Sequence, residues 1–319
     1  MTKLYKDQHW VPKSYLAAWV DPDVPSRYEP YVNIISKDGR QLTRRSPANI
    51  FTETDMYTIK LPDGQRDLRL EHGLSELESS FAATRKNFLA RRRPLPVARY
   101  AKLMAFVAAM QARTRAMRDH HRRWWTELKE KMEQMEQQAR HFTLAQRRAA
   151  AGIMPARSDR EGMTLEQVRD VAANTMQHIF GPFVRTVAPA LLRMRSIVLC
   201  TNGDPGFITS DSPVAWFDPE AYKRPPLFRS PGLACPKLEI TMPLSPWQCL
   251  LVVHGPTSFM YLDVDDRMVS EMNRRTHGYC DTEFVVRRAY VESHWLDPGQ
   301  MPHDAWEALH GDEHDAKAA

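Results

Sequence analysis

The spacing of apolar residues changes along this chain, and that change most constrains its fold. Between Leu70 and Arg92 the apolar residues recur close to every 3.6 positions, which predicts a helix that ends before Pro94. A second helix is predicted from Val97 through Trp125, with an extension to Arg140. From Arg195 onward the period changes to two, which indicates strands. A helical middle is therefore expected to precede a sheet.

The remaining elements place the chain in the α+β class. Thr164 and Gln167 have the spacing of a capping box, so a helix begins there and should end near His178, because Gly181-Pro182 follows. The other predicted elements are helices over 12–19 and 265–275 and strands over 31–36, 55–60, 196–201, 206–210, 238–242, 248–253 and 283–287. They predict an N-terminal short helix with strands, central long helices, and a C-terminal, mostly antiparallel sheet packed on helices.

The positive charge is concentrated in one stretch. Twelve basic residues and one acid lie between Arg85 and Arg123, so this stretch carries +11, and the rest of the chain, whose total is +5, carries −6. A basic helical surface favours a phosphate-bearing partner such as nucleic acid, or pairs with neighbouring acids. One domain is expected over 1–290, with a helical insertion at about 119–160 and an acidic tail over 291–319.

Cysteine spacing and hydropathy restrict the class of protein. The four cysteines lie far apart without a Cys-x-x-Cys pair, which disfavours a zinc ribbon and is typical of a cytoplasmic protein with reduced thiols. No run of about 18 apolar residues and no secretory leader are seen, so no membrane association is expected. The chain also lacks a glycine-rich phosphate loop, a Rossmann fingerprint and a His-Glu-x-x-His motif, which disfavours nucleotide kinases, dehydrogenases and zincins.

Short motifs along the chain resemble those of one family. The segment Gln8-His-Trp-Val-Pro-Lys-Ser-Tyr-Leu-Ala-Ala-Trp19 resembles the Gln-His-Tyr-Val-Pro-x-x-Tyr-Leu-x-x-Phe opening of DUF4238, a family of unknown function. Thr209-Ser-Asp-Ser-Pro213 resembles its Thr-Ser-Asp-x-Pro motif. Further blocks that match in order are 46–51, 55–57, 70–71, 77–78, 111–114, 242–246 and 272–273. The resemblance covers about residues 5–287 and implies a shared fold without implying a reaction.

Three of the motif residues have side chains suited to acid–base chemistry or metal binding. His9 precedes a helix beside an aromatic ring, where an imidazole acts as a base or a metal ligand, or hydrogen-bonds a buried carbonyl. Glu71 and Glu78 are two helical turns apart and point the same way. Such carboxylates hold Mg²⁺ or Mn²⁺ or divide general acid and base roles, and the alternative is a salt-bridged helix face.

Three further motif residues complete the candidate set. Gln111 is expected to position water or to tie two helices together through its amide. Arg113 is expected to grip a phosphate in a fork geometry or to pair with a glutamate of the preceding helix. Asp211 would complete a base or metal site with His9, or close a strand through an Asx-turn.

The basic helix is a candidate surface for nucleic acid. Arg115, Arg118 and Arg122 are spaced to share one helical face, and Trp124 is adjacent. Arginines neutralise phosphates and tryptophan stacks on unpaired bases. The alternative is a solvated face whose arginines pair with the glutamates that follow.

These residues support two main hypotheses. The first is a metal-dependent phosphodiester hydrolase, a nuclease with a role in phage defence or as a toxin, with His9 as the general base. The assembly of its site is implied by the resemblance alone. The second is a non-catalytic module that binds nucleic acid or protein, in which the same residues form a buried polar network. A homo-oligomer built through residues 119–140 is a third expectation. An open cleft would favour the enzyme, and buried, mutually paired side chains would favour the module.

Overall fold

The computed structural model describes residues 7–60, 66–146, 162–226 and 229–296. The helices of this part of the chain are α1 (Lys13–Leu16), α2 (Arg69–Asn87), α3 (Val97–Ala112), α4 (Arg115–Arg140), α5 (Leu165–Ala173), α6 (Thr175–Leu192) and α7 (Asp266–Tyr279). Long helices in the middle and strands towards the C-terminus confirm the predicted α+β class. In the described ranges no helix is both long and apolar enough to cross a membrane.

The strands form two larger sheets and two short pairs. They are β1 (Asp7–His9), β2 (Val32–Ser36), β3 (Leu42–Arg45), β4 (Thr52–Thr54), β5 (Ile59–Lys60), β6 (Arg66–Asp67), β7 (Arg195–Cys200), β8 (Thr209–Ser210), β9 (Ala215–Phe217), β10 (Glu239–Ser245), β11 (Gln248–Val253), β12 (Ser258–Asp263) and β13 (Glu283–Val286). One sheet has the order β12-β7-β11-β10-β9 and the other β3-β2-β13-β8. Among the described strands of the five-stranded sheet, only β12 pairs in parallel, with β7, so this sheet is mostly antiparallel, as predicted.

The N-terminal motif is anchored in the protein core. Tyr15 and Trp19 are fully buried, and their ring centroids lie 4.9 Å apart. The Tyr15 hydroxyl donates to the carbonyl of Pro243 at 2.7 Å, and Trp19 Nε1 donates to the carbonyl of Phe207 at 2.8 Å. Because buried polar groups need partners, these bonds hold the motif on the C-terminal sheets. The motif is therefore part of the fold.

The helices pack on one another through apolar faces of α2, α3 and α6. Phe81 of α2 stacks on Phe106 of α3 with ring centroids 4.1 Å apart and an interplanar angle of 8°. Leu191 of α6 belongs to the same buried cluster. In contrast, α4 has no buried residue, and its main contacts among the described elements are with α5 and α6.

Two predicted helix boundaries are wrong. The helix predicted from Val97 through Trp125 breaks at Thr114, whose extended backbone and hydroxyl, bonded to the amide of Met117 at 3.2 Å, begin α4. The helix predicted to end near His178 instead divides after Ala173, and α6 continues through two prolines to Leu192. Packing of the apolar face of α6 outweighs the cost of about 3 kcal/mol for an interior proline.

Two shorter segments also differ from their predictions. The strand predicted over 55–60 is a turn that begins at Asp55, with φ of 59°, and only Ile59–Lys60 is extended. Of the predicted strand over 206–210, Thr209–Ser210 is paired. The predicted insertion falls partly, and the acidic tail mostly, outside the described residues.

Candidate functional site

Arg113, at the C-terminal end of α3, lies at the centre of the candidate site. Its side chain is 2% exposed. Its Nη1 donates to Glu78 Oε1 at 2.8 Å, and its Nη2 donates to the carbonyl oxygen of His9. The guanidinium carbon lies 5.7 Å from the ring centroid of Tyr57. We name His9, Tyr57, Glu71, Glu78 and Arg113 the Arg113 network.

The two glutamates of α2 contribute differently to this network. Glu78 is the ion-pair partner of Arg113, as one of the sequence alternatives predicts. Glu71 is half-buried, and burial raises its pKa above the ordinary value, while the positive charge of Arg113 opposes that rise and Glu78 adds to it. A carboxyl with a raised pKa is suited to donate a proton.

His9 is the second titratable group with a shifted pKa. Burial lowers the pKa of its imidazole, the negative charge of Glu78 opposes this, and the positive charge of Arg113 adds to it. The ring is therefore neutral at pH 7. Its Nε2 is buried and has no hydrogen-bond partner in the described part of the chain. A neutral imidazole with an unpaired nitrogen is suited to accept a proton.

The predicted metal site lacks a set of ligands among the described residues. No three His, Cys, Asp or Glu side chains in these ranges are grouped as they would be around a metal ion. Glu78, one of the two predicted ligands, is paired with Arg113. Binding of Mg²⁺ or Mn²⁺ by Glu71 and Glu78 stays a prediction, and no reaction step below depends on it.

Tyr57 of the network and Gln8, which holds it in place, are two residues whose roles the sequence did not predict. Gln8 is fully buried, its Nε2 donates to Thr58 Oγ1 at 3.0 Å, and its Oε1 accepts from the amide of Tyr57 at 2.5 Å. The Tyr57 hydroxyl donates to the carbonyl of Arg113 at 3.4 Å. Burial raises the pKa of Tyr57 to about 12, so it stays neutral. The signal in the sequence that pointed to Tyr57 was the match of residues 55–57 to a family motif.

Gln111 and Asp211 lie outside the hydrogen bonds of the network. The carbonyl of Gln111 accepts from Thr114 Oγ1 at 3.3 Å, and its side chain is half-buried. Asp211 is 3% exposed. Its carboxylate accepts from the amides of residues 281, 282 and 283 and from the Thr282 hydroxyl at 2.7–3.1 Å. These four bonds fix the turn before β13, and no hydrogen bond to His9 is seen in the described ranges.

The basic start of α4 contains arginines with and without acidic partners. Arg118 is 15% exposed and pairs with Glu53 of β4 and with Asp119. Arg115 is exposed, and its Nε lies 3.8 Å from a carboxylate oxygen of the same Glu53. Further along the helix, Arg122 and Arg123 are exposed without an ion pair to a described residue, and Trp124 is 53% exposed. We name Arg122, Arg123 and Trp124 the α4 surface.

The comparisons with known proteins identify one family. A family model described as "Protein of unknown function (DUF4238)" matches residues 7–289. This match confirms the resemblance that the motifs indicate. No curated protein and no solved structure matches the chain.

Loss of the Arg113 guanidinium should destabilise the fold. Replacing Arg113 with methionine leaves Glu78 and the His9 carbonyl without their donor, so we expect Arg113→Met to lower the free energy of unfolding by roughly 3 kcal/mol. Arg122→Met removes an exposed arginine and should change it by less than about 0.5 kcal/mol. Urea denaturation measures both. Equal effects of the two substitutions would contradict the buried role of Arg113.

The lowered pKa of His9 makes folding stability depend on pH. Because the unfolded chain binds the proton more readily than the folded protein, the stabilisation is present above pH ~6.5 and is lost as pH falls below that value. His9→Gln should remove this dependence, so wild type loses up to about 1.4 kcal/mol per pH unit more than the variant. The exposed His254→Gln is the matched control, and its free energy of unfolding should change with pH as that of wild type does. Parallel stability–pH curves for all three proteins would refute the prediction.

Proposed function

Because the chain belongs to the DUF4238 family, whose description assigns no activity, we propose from the geometry that the α4 surface binds single-stranded nucleic acid. The observation that carries this proposal is an exposed tryptophan next to two arginines that have no acidic partner among the described residues. Trp124 is 53% exposed, and neither Arg122 nor Arg123 forms an ion pair with a described residue. Unpaired arginines neutralise phosphates, and an exposed indole stacks on bases.

The ring geometry of α4 supports stacking. Trp124 lies edge-on to Trp125, with centroids 4.8 Å apart and an interplanar angle of 90°. Trp125 is half-buried, so it supports the neighbouring indole and leaves that indole's outer side to solvent. Stacking on a base would cover this ring.

The Arg113 network fixes the position of the helix that carries the α4 surface. Arg113 is the last residue before Thr114, the N-cap of α4, so its buried contacts fix where the helix begins. One turn later, Arg118 ties α4 to Glu53 of β4. A surface anchored in this way presents its arginines with little loss of conformational freedom on binding.

We place nucleic-acid binding ahead of catalysis because the residues that would catalyse a reaction are buried. Arg113 is 2% exposed, and both of its terminal nitrogens have protein partners. Nε2 of His9 is also buried. A substrate phosphate therefore reaches neither group in this conformation. The α4 surface is exposed, and so it is the part of the candidate residues that a large anionic partner can contact.

Substitutions on α4 test the binding proposal. We expect the wild-type chain to bind a fluorescently labelled single-stranded oligonucleotide with an affinity that falls steeply with salt. The double variant Arg122→Ala/Arg123→Ala should reduce the salt slope by about 1.4, and Trp124→Ala should weaken binding by about 5- to 150-fold. Fluorescence anisotropy at several salt concentrations measures both effects.

A matched pair on the same helix separates specific contact from net charge. Lys129→Ala/Lys131→Ala removes the same charge from the other half of α4 and should bind like wild type. Equal losses in the two double variants, or no binding by wild type, would refute the proposal. Dimerisation through residues 119–140 would place the α4 surface in a protein interface, so light scattering without nucleic acid identifies that outcome.

A second candidate function is phosphodiester hydrolysis in the Arg113 network. The observation that favours it is the pairing of a neutral imidazole, His9, with a carboxyl of raised pKa, Glu71, beside one guanidinium. Opposite shifts of two pKa values are typical of a general base and a general acid. His9 would activate water through its unpaired nitrogen, and Glu71 would protonate the leaving oxygen.

Cleavage assays test this second candidate. The purified protein should cut end-labelled single-stranded DNA or RNA, and His9→Ala and Glu71→Gln should each slow cleavage at least about 100-fold. Both variants should keep oligonucleotide affinity, because neither residue lies on the α4 surface. Parallel reactions with Mg²⁺, Mn²⁺ or a chelator examine the metal prediction. Wild-type cleavage that both variants retain would exclude the site, and so would a wild type that binds without cutting.

A further inference from the structure

A cavity with a basic lining lies apart from the Arg113 network. Its volume is about 350 Å³, and it lies between the C-terminal end of α2, the segment after β7 and the turn that joins β10 to β11. The lining residues that bear on its chemistry are Arg85, Lys86, Arg92, Asn202 and Trp247. Arg85 follows Glu78 by seven residues on α2, which places it about 10 Å further along the helix axis.

Arg85 contributes a positive charge that the described protein does not neutralise. It is half-buried, and its Nη1 and Nη2 donate to the carbonyls of Tyr15 and Ser14 at 2.9 and 2.8 Å. No acidic side chain of the described residues lies within ion-pair distance of it. Burial lowers its pKa, which reflects the cost of holding this charge away from water. A guanidinium has five N–H donors, so several stay available.

The other two cations of the cavity differ in how they are paired. Arg92 forms two hydrogen-bonded contacts with Asp263, at 2.9 and 2.6 Å, so its charge is compensated. Lys86 is exposed and has no ion pair among the described residues. The cavity therefore has two uncompensated positive charges, from Arg85 and Lys86, in adjacent positions of one helix.

A helix C-terminus accounts for only part of this arrangement. Basic residues in the last turn of α2 are favoured by the helix macrodipole, which would explain an exposed lysine such as Lys86. The macrodipole does not explain why Arg85, a half-buried arginine without an acidic partner in the described ranges, lines a cavity. The amide side chain of Asn202, exposed at the same cavity, adds a neutral donor. Two cations and an amide form a surface complementary to an anion.

We infer that this cavity binds the phosphate group of a small anion, held by Arg85 and Lys86. Phosphate accepts charge-assisted hydrogen bonds from several donors at once, which suits a guanidinium beside an ammonium. The cavity volume lies at the lower end of the range for small-molecule sites, about 300–1,000 Å³. A phosphomonoester with a sugar-sized organic part fits that volume better than phosphate alone. Trp247 provides an apolar wall for such a part.

Titration calorimetry with a graded set of probes tests the inference. The probes are inorganic phosphate, ribose 5-phosphate and adenosine 5′-monophosphate, with ribose and adenosine as controls that lack the phosphate. We expect at least one phosphate compound to bind the 319-residue chain with Kd below about 1 mM and the controls not to bind. Equal Kd values across the three phosphates identify free phosphate as sufficient, and tighter binding of an ester identifies a phosphomonoester.

Charge reversal at the cavity supplies the decisive variants. Lys86→Glu should raise the Kd by about tenfold or more, and Asn202→Asp should also raise it. Lys131→Glu, an identical change at an exposed position of α4, should leave the Kd unchanged. Thermal melting checks that all three variants fold. Arg85 itself is not substituted, because its hydrogen bonds to the carbonyls of Ser14 and Tyr15 in α1 also support the fold.

Two results would overturn the inference. One is the absence of heat with every phosphate compound up to about 5 mM, and the other is an equal effect of Lys86→Glu and Lys131→Glu. The inference is independent of the proposed function. Arg122→Ala/Arg123→Ala, which tests the α4 surface, leaves the cavity intact and should not change phosphate binding, so each idea can fail alone.

Discussion

A guanidinium inside a protein needs partners, and Arg113 obtains them from three separate parts of the chain. Glu78 of α2 supplies a carboxylate, His9 of β1 supplies a carbonyl, and Tyr57 supplies an aromatic face. Removing one partner of a buried ion pair costs several kcal/mol, so these parts are held in one arrangement. Because Thr114 directly follows Arg113 and caps α4, the same contacts determine where the basic helix begins.

Periodicity predicts an element well when the apolar face decides its structure, as it does for α2 and β11. It fails where a distant contact decides. Helical spacing continues from Val97 into α4, so the break at Thr114 is marked locally only by an N-cap residue type, and it coincides with the buried contacts of Arg113. The prolines of α6 are the opposite case, because they predict an end that packing of the apolar face overrides.

Contacts of the candidate site could be predicted from the sequence only where charge and helical spacing indicated both residues of a pair. The pairing of Arg113 with a glutamate of α2 follows from charge and helical spacing, and the structure contains it. The roles of Gln8 and Tyr57 depend on contacts between residues 49 and 56 positions apart in the sequence, and local sequence patterns do not predict such contacts. Asp211 shows the same limit. Its motif position indicates chemistry, yet its carboxylate holds the turn before β13.

The role of each basic residue between 85 and 123 depends on whether it has an acidic partner in the structure. Arg113 is buried and paired, and Arg118 is paired with Glu53, so both act within the fold. Arg122 and Arg123 face solvent without an acid in the described ranges, whereas Arg85 faces a cavity. The free energy gained by meeting a phosphate depends on whether a cation is already neutralised. Pairing, which cannot be read from the sequence, therefore divides one basic stretch into structural residues and cations that have no acidic partner in the described ranges.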